Sequence, residues 1–140
     1  MKLTTKGRYA VMAMADLAVN ENLKPISLSE ISVRQNISLS YLEQLFVKLK
    51  NNRLVKSVRG PHGGYVLEKK PKDIKLSSII FAVNEEVKSL NCKKNSKKGC
   101  GGRSVKCITH NLWDDLEKHI NSFFESKNLN ELVSKQENIF

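Results

Sequence analysis

Residues 27–46 read Ser27-Leu28-Ser29-Glu30-Ile31-Ser32-Val33-Arg34-Gln35-Asn36-Ile37-Ser38-Leu39-Ser40-Tyr41-Leu42-Glu43-Gln44-Leu45-Phe46. Ser27 and Glu30 stand at capping-box spacing. A serine hydroxyl at the N-cap accepts the N–H three residues on, and the glutamate there reaches back to the cap amide. The pair predicts a short helix over Leu28–Gln35, with Leu28 and Ile31 turned inward. Asn36-Ile37 breaks it, and Ser38-Leu39-Ser40 gives a second start signal. The helix that follows runs to Lys50 and carries Leu42, Leu45, Phe46 and Leu49 on one face. Two short helices joined by a tight turn make a helix-turn-helix.

Behind this pair, Leu54–Val58 alternates as a strand does, Arg59-Gly60-Pro61-His62-Gly63-Gly64 is a turn loop, and Tyr65–Glu68 returns. A hairpin in that place is a wing. Ahead of the pair, Ala10, Ala13, Met14, Leu17 and Ala18 recur at helical spacing within residues 5–20, with Lys6 and Arg8 at the start. Beyond the wing come a short apolar helix (Leu76–Asn84), a Lys/Gly/Ser/Asn-rich loop over 88–106, an amphipathic helix (Ile108–Ser126) and a last short helix (Leu129–Gln136). The expected architecture is mainly α with a small β-hairpin. Residues 1–84 form a winged helix-turn-helix, 85–107 a loop, and 108–140 a dimerisation helix with a short C-terminal helix.

Charge points to the partner. The 140 residues carry a net charge of +10, which favours a polyanion such as DNA. The excess is segregated: 14 basic against 6 acidic groups over 1–75, 7 against 2 over 76–110, and 3 against 6 over 111–140. The length excludes large catalytic barrels and two-lobed enzymes. The longest apolar run, Ala10–Ala15, is far short of the ~18 residues that span a bilayer. Asp16 interrupts the apolar stretch Tyr9–Val19, unlike a signal peptide. The chain therefore reads as cytoplasmic, with no membrane partner.

The second helix of a helix-turn-helix enters the major groove of double-stranded DNA, its N-terminal residues at base edges. Here those residues are Ser38, Ser40, Tyr41, Glu43 and Gln44, opposite the apolar face. Gln44 can both donate to and accept from adenine; Glu43 can only accept, for instance from a cytosine amino group. Glu43 also has a purely structural reading, a capping box with Ser40. In the wing, Arg59 stands beside Gly60, where backbone can approach DNA closely and an arginine can enter the minor groove. His62 is placed to touch the DNA backbone.

Cys92, Cys100, Cys107 and His110 form C-x7-C-x6-C-x2-H. An odd, clustered set of cysteines suggests metal or redox chemistry rather than disulfides. Thiolate and imidazole suit zinc or an iron-sulfur cluster. Lys93, Lys94, Lys97, Lys98, Arg103 and Lys106 favour the thiolates, and Gly99, Gly101 and Gly102 let backbone wrap a compact object. The spacing of three puts Cys107 and His110 on one face at a helix start, which also admits a catalytic Cys-His pair, though no third orienting group is in sight. Leu112, Leu116, Ile120 and Phe123 make a stripe too wide for a helix that only covers its own domain. A homodimer built on that stripe is expected.

Met1-Lys2-Leu3-Thr4-Thr5-Lys6-Gly7-Arg8-Tyr9-Ala10, Ile37–Phe46 and Ser57-Val58-Arg59-Gly60-Pro61-His62-Gly63-Gly64-Tyr65 closely resemble the IscR family of iron-sulfur cluster regulators. The three cysteines, the Cys107-Ile108-Thr109-His110 step and Leu112-Trp113 resemble it as well. The likeness covers nearly the whole chain. It implies a homodimeric winged-helix transcription factor, not an enzyme, that binds one 2Fe–2S cluster per chain and represses cluster-assembly genes. It implies Cys92, Cys100, Cys107 and His110 as cluster ligands, with the assembly machinery as cluster donor. It also implies Ser38, Ser40, Tyr41, Glu43, Gln44 and Arg59 at the DNA. The gaps between cysteines are wider here than the family's usual five-residue spacers, through lysine-rich insertions, and the family's long polar tail is absent. Sister regulators that sense nitric oxide or iron limitation share the fold; His110 and the Glu43-Gln44 pair favour the IscR family. A cluster carrier with an incidental winged helix is the alternative from another class.

Overall fold

The computed structural model describes residues 5–20, 24–83 and 108–137. Helix α1 (Thr5–Val19) lies at the centre, and the second, third, fourth and sixth helices and the second strand pack against it. Ala10, Ala13, Met14, Leu17 and Ala18, the apolar positions read from the sequence, are buried in it, together with Gly7 and Asp16. Small alanines let neighbouring helices approach closely.

Helix α2 (Leu28–Gln35) has the expected cap. Ser27 Oγ accepts from Glu30 N at 3.2 Å, and Ser27 N donates to Glu30 Oε2 at 2.9 Å. The backbone hydrogen bond from Ser27 holds the Glu30 carboxyl below the usual carboxylate range, against a smaller desolvation effect. A carboxyl lowered by folding contributes stability that is complete above its unfolded pKa and is lost as pH falls through the folded value. The cap is therefore weakened only in acid. Ser27→Ala is expected to cost about 1 kcal/mol, measured as a shift of the denaturation midpoint at neutral pH.

Asn36 ends α2 in the left-handed conformation (φ 54°), its N–H returning to Ser32 O. Asn tolerates this region better than most residues. Helix α3 (Leu39–Asn51) starts three residues later under the Ser38 cap and buries Leu42, Leu45, Phe46 and Leu49, the predicted face. Asn52 Nδ2 donates to Lys48 O at 2.8 Å at its C-terminal end.

Strands β1 (Val55–Val58) and β2 (Gly64–Leu67) pair antiparallel, Val55 opposite Leu67 and Val58 opposite Gly64. An isolated bridge joins Tyr65 to Ile26, with Tyr65 N donating to Ile26 O at 2.7 Å and Ile26 N to Tyr65 O at 3.0 Å. A Cβ on Gly64 would collide with the Ile26 backbone, so only glycine lets the hairpin lie there. The Tyr65 ring meets Phe46 of α3 edge-on, centroids 4.9 Å apart.

A 3-10 turn (Pro71–Asp73) leads to α4 (Leu76–Ala82). Helix α5 spans His110–Ser126, two residues shorter than the Ile108 start expected from the sequence. Ile108 and Thr109 form a turn, with Ile108 fully exposed. Trp113 Nε1 donates to Thr109 Oγ1 at 3.0 Å, which pins this start. Asn128 Oδ1 caps α6 (Leu129–Glu137) by accepting from Glu131 N. Leu129 and Val133 of α6 enter the same apolar core as α1, and a bridge between Lys75 and Asn128 ties the α5–α6 junction to the start of α4. Among the described residues, no helix is long and apolar enough to cross a membrane.

Candidate nucleic-acid interface

Ser38 Oγ accepts from Tyr41 N at 3.4 Å and lies 3.0 Å from Ser40 Oγ. Ser38 is thus the N-cap and Tyr41 the N3 residue. Ser40 lies inside the first turn, so the alternative capping box between Ser40 and Glu43 does not form. Glu43 and Gln44 are exposed, with Ser40 one turn before them. Val47, outside the expected site residues, continues the same face at 58% exposure. Its spacing from Ser40, Glu43 and Gln44 was the available signal: an aliphatic residue off the buried stripe. Ser40, Glu43, Gln44 and Val47 make one strip of donors, acceptors and a methyl surface, the chemistry that base edges and thymine methyls present in the major groove.

Tyr41 is half-buried. Its ring stands edge-on to Tyr9 of α1, centroids 5.8 Å apart at 85°. A cleft of about 440 Å³ opens between the first turns of α1 and α3, lined by Thr5, Tyr9, Asn36, Ser38, Tyr41 and Gln44 among others. Tyr9 and Thr5 were not among the expected site residues. Their hydroxyls belong to a helix 30 or so positions away in sequence, and the pairing appears only in three dimensions.

The wing tip turns at Gly60–Gly63, where Gly63 N donates to Gly60 O at 2.9 Å. Gly60 has φ 124° with open space around it, a conformation that side chains other than hydrogen rarely adopt. Arg59, Gly60 and His62 are exposed. Lys50 Nζ donates to Ser57 Oγ at 3.0 Å, which links the end of α3 to the wing. The strip on α3 and the wing are thus fixed to one another by the Phe46–Tyr65 contact and this bond.

The helix-turn-helix is clasped to α1 by a buried carboxylate. Asp16 accepts from Arg34 Nε at 2.9 Å, Arg34 Nη2 at 2.7 Å and Gln35 Nε2 at 2.9 Å. The Asp16 side chain is 2% exposed and that of Arg34 39%. The hydrogen bond to Asp16 raises the Arg34 pKa above its usual value.

A mostly helical body with a two-stranded wing, and an exposed strip on the second helix of a helix-turn-helix, is the arrangement of a DNA-binding regulator. The comparisons with known proteins agree. The family model described as "Rrf2: Iron-dependent Transcriptional regulator" matches residues 3–135. The chain belongs to the Rrf2 family. It is 51% identical over 137 residues to the HTH-type transcriptional regulator IscR of Photorhabdus laumondii, covering 98% of this chain and 82% of that one. IscR of Escherichia coli matches at the same identity, over 83% of its length. Among solved structures, T. potens IscR aligns at a TM-score of 0.79 and 36% identity, over 99% of this chain and 90% of that one. CymR, the global cysteine regulator of B. subtilis, aligns at 0.80 and 32%, over 96% and 98%. The resemblance read from the sequence is borne out: this is an IscR-like transcriptional regulator of the Rrf2 family, not an enzyme.

The expected cluster ligands are divided. Cys92, Cys100 and Cys107 lie outside the described residues. His110 is the first residue of α5 and is half-buried. Among the described residues no group of His, Cys, Asp and Glu side chains is gathered to hold a metal. By donor chemistry, three thiolates and one imidazole fit an iron-sulfur cluster. On α5 the expected dimer stripe is largely uncovered: Leu112 is 59% and Phe123 53% exposed, with Leu116 and Ile120 half-buried. Glu117 is the one buried residue of α5.

Proposed function

We propose that this chain is a cytoplasmic homodimeric repressor that binds one 2Fe–2S cluster per chain and adjusts transcription of cluster-assembly genes to cluster supply. Residues 1–84 read double-stranded operator DNA, 85–107 carry the cluster loop, and 108–140 hold the dimer together. The observation that carries this reading is the place of His110. It opens the helix whose apolar stripe, Leu112, Leu116, Ile120 and Phe123, is exposed at Leu112 and Phe123 and only half-buried at Leu116 and Ile120 in a single chain. A ligand residue and a dimer surface thus share one rigid element.

Cys92, Cys100, Cys107 and His110 would hold the cluster, which the assembly machinery donates. When bound, it supplies an iron- and oxidant-sensitive centre. The chain's own residues do the rest. Helix α5 carries the position of His110 along its length to the stripe. Two stripes packed together set the separation of two α3 helices, and half-sites one helical turn apart, about 34 Å, tolerate little change in that separation. On each half-site Ser38, Ser40 and Tyr41 contact phosphate or base edges, and Gln44 pairs with adenine. Glu43 accepts from a cytosine amino group, and Arg59 with Gly60 approaches the minor groove.

Glu43 sets specificity rather than affinity in this account. A carboxylate in the groove is repelled by phosphate and is accommodated only where an amino group faces it. Glu43→Ala is expected to keep its original operators and accept additional ones, losing about 1–3 kcal/mol of discrimination. A binding titration against an operator library at fixed salt checks this. Unchanged site preference would remove Glu43 from the reading set.

A further inference from the structure

We infer that Asp16 is a positioning residue for DNA reading, which acts through Arg34 and Gln35 to fix the angle at which α3 is presented. The inference rests on α3 being the reading helix. Asp16 sits near the end of α1, and its side chain is hydrogen-bonded to Arg34, Gln35 and Asn20, none of which belongs to the exposed strip of α3 or the wing. Its carboxylate takes three hydrogen bonds from the last two residues of α2, at 2.7–2.9 Å. Asn20, one turn on, donates from Nδ2 to Asp16 O at 2.9 Å and so secures the same end of α1.

The polar connections continue toward α3. Ser32 Oγ donates to Ile37 O at 2.5 Å, and Ile37 N donates to Ser32 O at 3.2 Å. Both span the left-handed turn at Asn36, directly before the Ser38 cap. Hydrogen bonds thus tie the end of α2 to α1 on one side and to the turn before the Ser38 cap on the other, and the backbone of α2 joins the two. Apolar packing at Ile31, Leu42 and Leu45 holds these helices together, but it is non-directional and tolerates small rotations. A planar guanidinium bound in two places to a buried carboxylate does not. A reading strip needs such fixity, because base contacts are lost by displacements that leave phosphate attraction almost unchanged.

The test uses the full-length protein and Arg34→Lys, which keeps the charge but cannot make the two-point contact. Gln35→Ala is a milder second variant in case Arg34→Lys folds poorly, and Glu43→Ala runs alongside. Each is assayed well below its own melting midpoint, with folding verified by circular dichroism. The quantity read is the ratio of affinity for a selected operator to affinity for random duplex of the same length, with the salt dependence of the latter. Positioning predicts that the ratio falls about tenfold in Arg34→Lys and less in Gln35→Ala, while random-duplex affinity and its salt slope stay at wild-type values. A purely structural clasp lowers the melting midpoint and leaves the ratio unchanged, which overturns the inference. If Glu43→Ala alters site preference while neither clasp variant moves the ratio, only the inference about Asp16 fails. If none of the three variants alters preference or ratio, the inference about Asp16 fails and Glu43 leaves the reading set with it.

Discussion

Replacing Cys92, Cys100 or Cys107 by alanine should yield a colourless protein from cells in which the wild type, purified without oxygen, is coloured and contains iron and sulfide. The expected effect is all-or-none, because the proposed ligand set uses all three cysteines of the chain and leaves no spare thiolate to take the vacated place. His110→Cys should behave differently. Thiolate replaces imidazole, the cluster is retained, its visible spectrum shifts, and its reduction potential falls, on the order of 100 mV or more, since histidine ligation raises the potential of 2Fe–2S centres. Visible absorption, iron and sulfide analysis and a redox titration check these outcomes. Wild-type protein that is colourless and holds one tight zinc ion would contradict the cluster assignment.

Leu116→Asp should disperse the dimer and, without any contact to DNA, abolish tight operator binding. Leu116 lies at the middle of the α5 stripe, between Leu112 and Ile120. In an isologous interface the substitution appears twice. Burying each carboxylate against apolar side chains costs about 3 kcal/mol, so dissociation rises by far more than a hundredfold. Two half-sites are then read by separate chains, and the avidity lost is about 10²–10⁴ in operator affinity. Sedimentation at micromolar concentration should show the wild type at twice the chain mass and the variant at the chain mass. Operator titrations of the same samples should show the matching loss. A wild type that sediments as a monomer would exclude the stripe as a dimer surface.

Much of the fold was legible because its signals are local. The Ser27–Glu30 box and the Ser38 cap place the starts of α2 and α3 within three residues of the atoms they bind, and the predicted spans agree with the structure. The wing followed from alternation around a glycine-rich turn. What sequence reasoning missed is non-local. Asp16 read only as an interruption in an apolar stretch; its partners stand 18 and 19 positions on, and nothing near it announces a buried pair. Tyr9 and Tyr41 likewise meet only through tertiary packing. Apolar periodicity includes Ile108 and so places the start of α5 two residues before His110. In the structure Thr109, with Trp113 bound to its hydroxyl, stands at the N-cap position. The return of α6 to the core through Leu129 was also unseen, since a short amphipathic helix does not reveal which surface it covers.

The candidate site divides in the same way. The helical period implies exposure of Ser38, Ser40, Tyr41, Glu43 and Gln44 once the buried stripe is known; the structure leaves four of them exposed and half-buries Tyr41 against Tyr9. Val47 obeys the same geometry but escaped notice, because an aliphatic residue in a helix is ordinarily assigned to the core. The cysteines were legible as chemistry alone, by residue type and number.

The central claim is that cluster occupancy governs how this dimer reads DNA, and one measurement addresses it directly. Cluster-loaded protein and the same protein freed of iron and sulfide are titrated, without oxygen and at one salt concentration, against a library of duplexes carrying paired half-sites. The account predicts sequence-selective binding by the loaded dimer and a changed affinity or site preference after cluster removal, with the dimer intact by sedimentation. Identical binding curves for the loaded and cluster-free dimer across the library would contradict it.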